Sequence, residues 1–310
     1  MKMKFRLISI IFILFGVGLF FGLFGTGTQL GKAAGKWPEK LVFGFLPNED
    51  STPGYKEANK ILQKELSSYL GIPVDVIICD DYTAVIETMR NKKTHLALFG
   101  PFSYIIAHDR SKAEALIVSA KEGKKENAFY SSLIITHPST GIVKLEDIKG
   151  KSMAFVDPAS TSGNLVPRAM FAKKFRLKPE EIDTKLFSSV MFSGAHQNSL
   201  LAAANKSVDV AACTRATYEI AIAKKVISPD DIRIIVESDP IPNSPVAVRS
   251  DLPKDLKAKI RDFFLSFNNE EYHKLRNTIG YRYLTINDSN YDSIRAIAKQ
   301  MKLRPEDLLK

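Results

Sequence analysis

Residues Ser152–Arg168, which decide the fold, read SMAFVDPASTSGNLVPR. The apolar run SMAFV has the composition of a buried strand, and Pro158 ends it because proline cannot donate to a strand ladder. A helix-like segment follows and opens with three hydroxyl side chains, Ser160, Thr161 and Ser162. A strand, a short loop and a capped helix form the repeating unit of α/β proteins. The stretch therefore predicts an α/β fold.

The same unit recurs along the rest of the chain. Short apolar runs alternate with segments whose apolar residues recur at helical spacing. Nearly continuous apolar runs of this length suit parallel strands that helices cover on both faces. Strands are predicted at 41–47, 74–80, 95–100, 115–120, 131–137, 152–157, 184–190, 208–214 and 232–238. Helices are predicted at 55–70, 83–91, 163–174 and 197–205, followed by two amphipathic helices nearer the C-terminus.

Two extended segments, near 129–138 and 238–246, divide these elements into two groups. The second segment contains DPIPNSP, whose prolines favour an extended backbone. We expect a first lobe of residues 40–132 and 242–310 and a second lobe of residues 133–241, each a mainly parallel sheet flanked by helices. Ligands of such sheets bind beyond the carboxyl ends of the strands. The loops after the strands are therefore the candidate binding segments.

The N-terminal residues 1–34 differ in composition from the rest. Lys2, Lys4 and Arg6 precede an uncharged apolar run over 7–25. Basic residues before an apolar run are typical of an export signal. The run is also long enough to span a bilayer, so it predicts either a cleaved signal peptide or an uncleaved membrane-anchor helix. We expect an exported protein, in the periplasm or at the outer face of the cytoplasmic membrane.

Charge and cysteine content exclude several classes of protein. The chain is 45% hydrophobic and 25% charged, with a formal net charge of +10. The basic residues are interspersed with acids, which predicts a solvated surface and no nucleic-acid partner. Cys79 and Cys213 each lie in an apolar run that resembles a strand. We therefore expect two buried thiols and no disulfide.

The hydroxyl cluster of DPASTSG has two interpretations. The first amide N–H groups of a helix are unpaired and carry the positive end of the helix dipole. With Ser160, Thr161 and Ser162 beside them, they would form a socket of uncharged donors for a tetrahedral oxyanion. The alternative is a helix cap with two hydroxyls that face solvent, since one hydroxyl suffices to cap a helix.

Three further side chains could face the same ligand. His196, in FSGAHQNS, opens another predicted helix, where a ring nitrogen could donate to an anion, and more strongly if protonated. The alternative is a histidine that caps its own helix or packs in a groove. Tyr82 and Tyr130 lie next to predicted strands, where their phenol groups could face a cleft or serve as packing residues.

The sequence offers little for catalysis. It contains no G-x-S-x-G, H-E-x-x-H, G-x-x-x-x-G-K or C-x-x-C motif. The five histidines, at 95, 108, 137, 196 and 273, lack metal-ligand spacing. The residue types do not exclude a hydrolase that combines a serine of the cluster with His196 and Asp157. Nothing in the sequence, however, indicates an activated serine. We predict no catalytic residue, no metal and no cofactor.

From about residue 41 to 302 the chain resembles the periplasmic phosphate/phosphite/phosphonate-binding proteins of ABC importers. Five segments carry the resemblance and occur in the family's order: DYTAVIETMR, LFGPFSYIIAH, LEDIKGKSMAFVDPASTSGNLVPR, FSGAHQNSLLAAANKSVDVAA and PIPNSPVAVRSDLP. The resemblance implies a two-lobed type II periplasmic binding protein that closes on its ligand. It also agrees with the two lobes and two crossings predicted from the residues.

The resemblance implies a role for six residues. By position, Ser160, Thr161, Ser162 and His196 would hold the oxyanion from the second lobe, and Tyr82 and Tyr130 would close the site. The segment GPFSY matches the family as well, with the alternative that Ser103 and Tyr104 only pack the loop.

One departure from the family bears on the ligand. After VDVAA, members often carry acids that pair with the ammonium of an aminoalkylphosphonate, whereas this chain reads CTRATYE. Burying an ammonium without a carboxylate is costly, so aminoethylphosphonate becomes a poor candidate, unless Glu219 one turn further on compensates. Arg215 could add positive charge at the cleft or lie on the surface. Cys213 could suggest arsenite, but a single thiol has no partner nearby.

These features predict a monomeric solute-binding protein, not an enzyme. It would capture phosphate, phosphite or an alkylphosphonate and deliver it to an ABC permease. The alternative is an oxyanion sensor, or a ligand-presenting subunit of a signalling system, associated with the membrane through the N-terminal helix.

Overall fold

The computed structural model describes residues 35–47 and 52–303. The predicted signal or anchor helix at 1–34 lies outside the described residues. Within the described part of the chain, no helix combines the length and apolar character needed to cross a bilayer.

The described residues alternate between strands and helices, as the sequence predicts. In chain order the strands are β1 (Leu41–Phe45), β2 (Val74–Ile78), β3 (Leu96–Leu98), β4 (Ala113–Lys121), β5 (Phe129–Tyr130), β6 (Ser132–Thr136), β7 (Lys151–Phe155), β8 (Phe187–Phe192), β9 (Val210–Thr214), β10 (Arg233–Glu237), β11 (Ile241–Pro242), β12 (Pro245–Arg249) and β13 (Tyr281–Thr285). The α-helices are α1 (Tyr55–Leu70), α2 (Tyr82–Arg90), α3 (Pro101–Ser111), α4 (Val166–Phe175), α5 (Ile182–Leu186), α6 (His196–Ala204), α7 (Arg215–Ala223), α8 (Lys254–Ser266), α9 (Glu270–Leu275) and α10 (Asp292–Gln300).

The strands form two main sheets. A six-stranded sheet has the order β13-β4-β12-β3-β1-β2, and a five-stranded sheet has the order β10-β6-β9-β7-β8. We call the first sheet with its helices the first lobe and the second sheet with its helices the second lobe. The chain passes from the first lobe to the second through β5 and returns through β11. These two short strands pair antiparallel, with Tyr130 opposite Ile241.

The prediction of mainly parallel sheets is wrong, because both sheets are mixed. In the first lobe β1 pairs parallel with β2 and β3, whereas β12 is antiparallel to both β3 and β4. In the second lobe β7 pairs parallel with β8 and β9, whereas β6 is antiparallel to β9 and β10. A parallel neighbour in the same sheet requires a crossover connection. Both β6 and β12 instead enter from the other lobe along an extended segment, which leaves them free to run antiparallel.

Individual elements also differ from the sequence prediction. The run 184–190 is split, since α5 occupies its start and β8 begins only at Phe187. Ile182 and Leu186, four residues apart, are both buried on one face of this short helix. The strand β13 was not predicted. Within residues 35–47 and 52–303 it pairs only with β4, and its residues are half-buried with an exposed last residue, so no continuous apolar run marks it.

Local sequence explains the helix boundaries near the cleft. Asp81 caps α2 by accepting a hydrogen bond from the Ala84 N–H at 2.6 Å. Pro101 is the first residue of α3, where its missing N–H costs nothing. The segment GPFSY is therefore the beginning of a helix and not a loop. Both helices begin directly after short strands of the first sheet and point their N-termini towards the second lobe.

Both cysteines are buried free thiols, as the sequence predicts. Cys213 lies inside β9, and burial raises the pKa of its thiol to about 12. Cys79 follows β2 directly, and burial again raises the thiol pKa. Neither thiol is in the charged form that reacts or binds metal at neutral pH.

Candidate functional site

One cavity of about 270 Å³ lies between the two lobes, and all six sequence-predicted site residues line it. The second lobe contributes four of them and the first lobe and the crossing strand contribute two. They are Ser160, Thr161, Ser162, His196, Tyr82 and Tyr130.

The three hydroxyls after β7 have three different partners. Ser160 is the cap, because its Oγ accepts a hydrogen bond from the Gly163 N–H at 3.0 Å. Thr161 Oγ1 accepts one from the Phe102 N–H of the first lobe at 2.8 Å. Ser162 Oγ lies 3.5 Å from His196 Nε2. All three hydroxyl residues therefore line the cavity between the lobes, and Ser160 also caps the helix.

The turn that carries the hydroxyls is wound more widely than an α-helix. Residues Thr161–Leu165 form a single π-helical turn, and the regular helix α4 begins at Val166. Gly163 within the turn packs directly on the end of β7, where an added Cβ would lie 2.3 Å from Val156 Cβ. Single π-helical turns occur frequently at functional sites. Here the turn presents Thr161 and Ser162 side by side.

His196 is the first residue of α6 and is 5% exposed. Burial lowers the pKa of its imidazole to about 4, so the ring is neutral at pH 7. A neutral imidazole has one N–H donor and one acceptor nitrogen. His196 therefore meets a ligand as a neutral hydrogen-bonding group.

The two tyrosines approach from the other side of the cavity. Burial raises the pKa of Tyr130 to about 12, and its hydroxyl lies within hydrogen-bonding reach of Ser162 and Thr161. The phenol is therefore protonated at neutral pH and able to donate. Tyr82 is the first residue of α2, and its ring is 2% exposed. Every side-chain donor of the socket is thus uncharged.

Asp157 forms a contact between the lobes that the sequence did not predict. Its carboxylate accepts the Ala159 N–H at 2.7 Å and also bonds the backbone N–H of Tyr82 in the first lobe. Burial raises its pKa to about 6. The other partner in this contact is a backbone amide, and backbone amides carry no sequence signal. Asp157 does not line the cavity with His196, which argues against the hydrolase arrangement.

Two helix N-termini of the first lobe therefore touch the loop 157–161 of the second. The Tyr82 N–H at the start of α2 meets Asp157, and the Phe102 N–H at the start of α3 meets Thr161. Each pairs an unsatisfied helix donor with an oxygen. These contacts hold the lobes together along one edge of the cavity.

Ser103 and Tyr104 are packing residues, the alternative that the sequence left open for them. Ser103 Oγ donates to the Gly100 carbonyl at 3.1 Å, and the Tyr104 hydroxyl donates to Asp288 at 2.8 Å. Both side chains are fully buried, and neither lines the cavity.

Comparison with known proteins agrees with this geometry. A family model described as the periplasmic substrate-binding protein of phosphonate ABC transporters matches residues 43–291. The chain belongs to this family. Its members are substrate-binding components of ABC importers, and they work outside the cytoplasm, in the periplasm.

Individual members of the phosphonate-binding family resemble the chain over most of its length. The phosphate-import protein PhnD of Mycolicibacterium smegmatis is 27% identical over 287 residues, which cover 88% of this chain and 89% of the relative. The phosphonates-binding periplasmic protein of Escherichia coli is 30% identical over 265 residues, with coverage of 82% and 74%. The crystal structure of a phosphonate-transporter binding component from Pseudomonas aeruginosa superposes with a TM-score of 0.76 at 27% identity, covering 86% of this chain and 87% of the other.

In this phosphonate-binding family member, Arg215 does not add charge to the cavity. Its guanidinium is bonded to Glu237, by Nε at 2.6 Å, and lies 3.7 Å from Glu219. This pairing holds the pKa of Glu237 at about 2. Glu219 is thus engaged with Arg215 and does not compensate for the missing acids. The cavity wall at this point is formed by Thr214, Ala216, Thr217 and Ile220.

Proposed function

We propose that this protein is a solute receptor that binds a small phosphorus oxyanion without transforming it. In this proposal Ser160, Thr161 and Ser162 hold the phosphoryl oxygens together with the first amides of the π-helical turn. His196 adds a neutral donor from α6. Tyr82 and Tyr130 close the site from the first lobe and the crossing strand.

The observation that carries the proposal is the convergence of these six side chains on one cavity between two lobes. They come from separate stretches of the chain, and all are hydrogen-bonding groups or aromatic rings. Neutral donors suit an oxyanion because they stabilise negative charge without a buried counter-charge that would require its own partner. Arg168, the nearest arginine in sequence, is instead bound to Asn164 and Asp183.

The two-lobed fold supports a hinge mechanism. We propose lobe boundaries at 40–132 with 242–310 and at 133–241, which agree with the crossings at β5 and β11. Ligand between the lobes would strengthen the closed form, and a monomer in that form would dock on an ABC permease. Export through the N-terminal segment would put the receptor in the periplasm or at the outer face of the cytoplasmic membrane.

Isothermal titration calorimetry with phosphate, phosphite and methylphosphonate tests the proposal. We expect micromolar or tighter binding of at least one anion. Thr161→Ala should weaken it about tenfold or more, because a hydrogen bond to a charged ligand contributes roughly 1.5–3 kcal/mol. Thr184→Ala is the matched control, since Thr184 is exposed on α5 and its hydroxyl donates to the Glu181 carbonyl, away from the cavity. The absence of heat with all three anions would contradict the proposal.

A further inference from the structure

The cavity has further hydroxyl side chains beside the oxyanion socket. Thr214, at the end of β9, pairs with Ser132 of β6. Ser132 Oγ in turn donates to the Ser162 carbonyl at 2.6 Å. Thr214 therefore lies close to the socket residue Ser162, and both line the cavity.

The first lobe adds polar groups near the same place. Asn243 and Ser244 follow β11, whose Ile241 pairs with the socket residue Tyr130. The Asn243 side chain donates to the Ser119 carbonyl at 2.8 Å, which holds β4 beside them. We call the cavity-lining residues of this region the polar wall, and they are Ser119, Thr214, Thr217, Asn243 and Ser244.

The polar wall has hydrogen-bonding groups that the protein itself leaves unused. The hydroxyls of Ser119 and Ser244 have no hydrogen-bond partner among residues 35–47 and 52–303. Thr214 Oγ1 and Thr217 Oγ1 lie 2.8 Å apart and share one hydrogen bond, which leaves one hydroxyl proton of the pair for another acceptor. All five residues of the wall are partly exposed, so a small ligand group can reach them.

The charges around the wall do not suit a cationic ligand group. Among the residues that the structure describes, no aspartate or glutamate lines the cavity. Glu219, on the same helix as Thr217, lies 3.7 Å from Arg215 Nη1 and outside the cavity. A buried ammonium here would have no carboxylate beside it, which is costly.

A purely apolar ligand group would leave the polar wall unsatisfied. The hydroxyls of Ser119 and Ser244 would lose water without gaining a hydrogen bond, which costs free energy. A ligand hydroxyl has one donor and two acceptor lone pairs, so it can replace that water. The wall thus favours a hydroxyl over a methyl or an ammonium group.

We propose that the preferred ligand is a phosphonate whose short alkyl substituent carries an uncharged hydroxyl. Its phosphonyl oxygens bind the socket, and its hydroxyl bonds the polar wall. Because Thr214 adjoins Ser162 through Ser132, a short substituent is enough to reach the wall. This rests on the proposed function, and it adds the ligand class.

Calorimetry with 2-hydroxyethylphosphonate, ethylphosphonate and 2-aminoethylphosphonate tests the substituent, since these ligands differ only at its end. We expect 2-hydroxyethylphosphonate to bind at least about fivefold more tightly than ethylphosphonate. We expect it to bind at least about tenfold more tightly than 2-aminoethylphosphonate. If any phosphorus oxyanion binds but the hydroxyl gives no such gain, the wall assignment is overturned and the proposed function stands. If no phosphorus oxyanion binds, both are overturned.

A double variant, Ser119→Ala with Ser244→Ala, tests the place of the hydroxyl. Each change removes a hydroxyl without a partner in the described part of the chain, so no protein hydrogen bond is lost. We expect the preference for 2-hydroxyethylphosphonate over ethylphosphonate, taken from the ratio of their dissociation constants, to fall at least about threefold. Ser189→Ala is the matched control, because Ser189 is an exposed strand serine outside the cavity.

Thr217→Val repeats the test from the second lobe. The variant removes the Thr217 hydroxyl and keeps the helix cap, in which Thr214 Oγ1 accepts the backbone N–H of residue 217 at 3.0 Å. Thermal unfolding shows whether each variant is folded. A reduced preference in either folded variant supports the assignment, and the full preference in both overturns it.

Discussion

At the scale of single residues, the three hydroxyls of the loop after β7 have three different partners. Ser160 Oγ accepts the Gly163 N–H as a helix cap, Thr161 Oγ1 accepts the Phe102 N–H of the other lobe, and Ser162 Oγ faces His196. The composition of the stretch could not separate these roles, since any of the three can cap a helix. The decisive information is the register of the π-helical turn.

Asp157 provides a pH-dependent prediction. Its pKa rises from 3.8 to about 6 in the folded protein. Between these values the folded protein binds more protons than the unfolded chain, so this group's contribution to stability is lost as pH rises through about 6. At about 1.4 kcal/mol per pKa unit, the ionised carboxylate costs roughly 3 kcal/mol at pH 7.

Asp157→Asn removes that charge and keeps an acceptor for the Ala159 and Tyr82 amides. We expect the free energy of unfolding of the variant, relative to the natural chain, to rise by up to about 3 kcal/mol between pH 4 and pH 7. Urea unfolding at both pH values measures this difference. His196, whose lowered pKa makes stability rise with pH over about 4 to 6.5, is common to both proteins and cancels. A difference that does not change with pH would contradict the raised pKa.

At the scale of elements, the site depends on how the turn after β7 packs on the strand itself. The Val156 N–H donates to the Gly163 carbonyl at 3.0 Å, and Gly163 lies against the Val156 side chain. The backbone of the turn is thus bound to the strand end from which it leaves. The close packing of Gly163 fixes where Thr161 and Ser162 point.

Gly163→Ala should therefore damage folding and binding together. The new methyl would lie 2.3 Å from Val156 Cβ, so the turn must move away from β7. We expect a loss of roughly 1–3 kcal/mol in unfolding free energy, typical of overpacking, together with weaker binding of methylphosphonate. Thermal unfolding and calorimetry on the same sample measure both effects. Unchanged stability and affinity would show that the turn tolerates a side chain.

The sequence predicts the positions of strands and helices better than the directions in which the strands run. Buried central strands such as β1, β7 and β9 have continuous apolar runs, and helices such as α1 have a clear apolar face and a glycine stop at Gly71. Strand direction depends on which lobe a strand enters from, which is a long-range property. The edge strand β13 lacks an apolar run because it buries its side chains only partly.

The candidate site could be predicted from the sequence where it consists of side chains. Ser160, Thr161, Ser162 and His196 follow strands directly, and the structure brings them to one cavity with Tyr82 and Tyr130. Backbone donors such as the Phe102 N–H could not be predicted, because every residue except proline has one.

At the scale of the whole molecule, the two lobes meet through polar contacts and through apolar packing, beside two paired crossing strands. One buried cluster contains residues of both lobes, among them Tyr104 and Ile294 of the first and Phe155 of the second. Thr161 and Asp157 contact α3 and α2 across the lobes, and in the proposed hinge mechanism these contacts form in the closed arrangement. In the same proposal the lobes turn about two short paired strands, β5 and β11. This arrangement is typical of hinge closure around a ligand.

Small-angle scattering tests the hinge. We expect saturating methylphosphonate to lower the radius of gyration, because the ligand stabilises the form in which the lobes touch. Thr161→Ala, measured at a ligand concentration that saturates the natural chain but not the variant, should remain expanded. An identical radius with and without bound ligand would contradict closure.

The most direct test of the oxyanion socket is a crystal structure of the protein grown with methylphosphonate. The account predicts the phosphonyl oxygens within hydrogen-bonding distance of Ser160, Thr161, Ser162 and His196. Methylphosphonate bound elsewhere, with these four side chains facing only water, would contradict it.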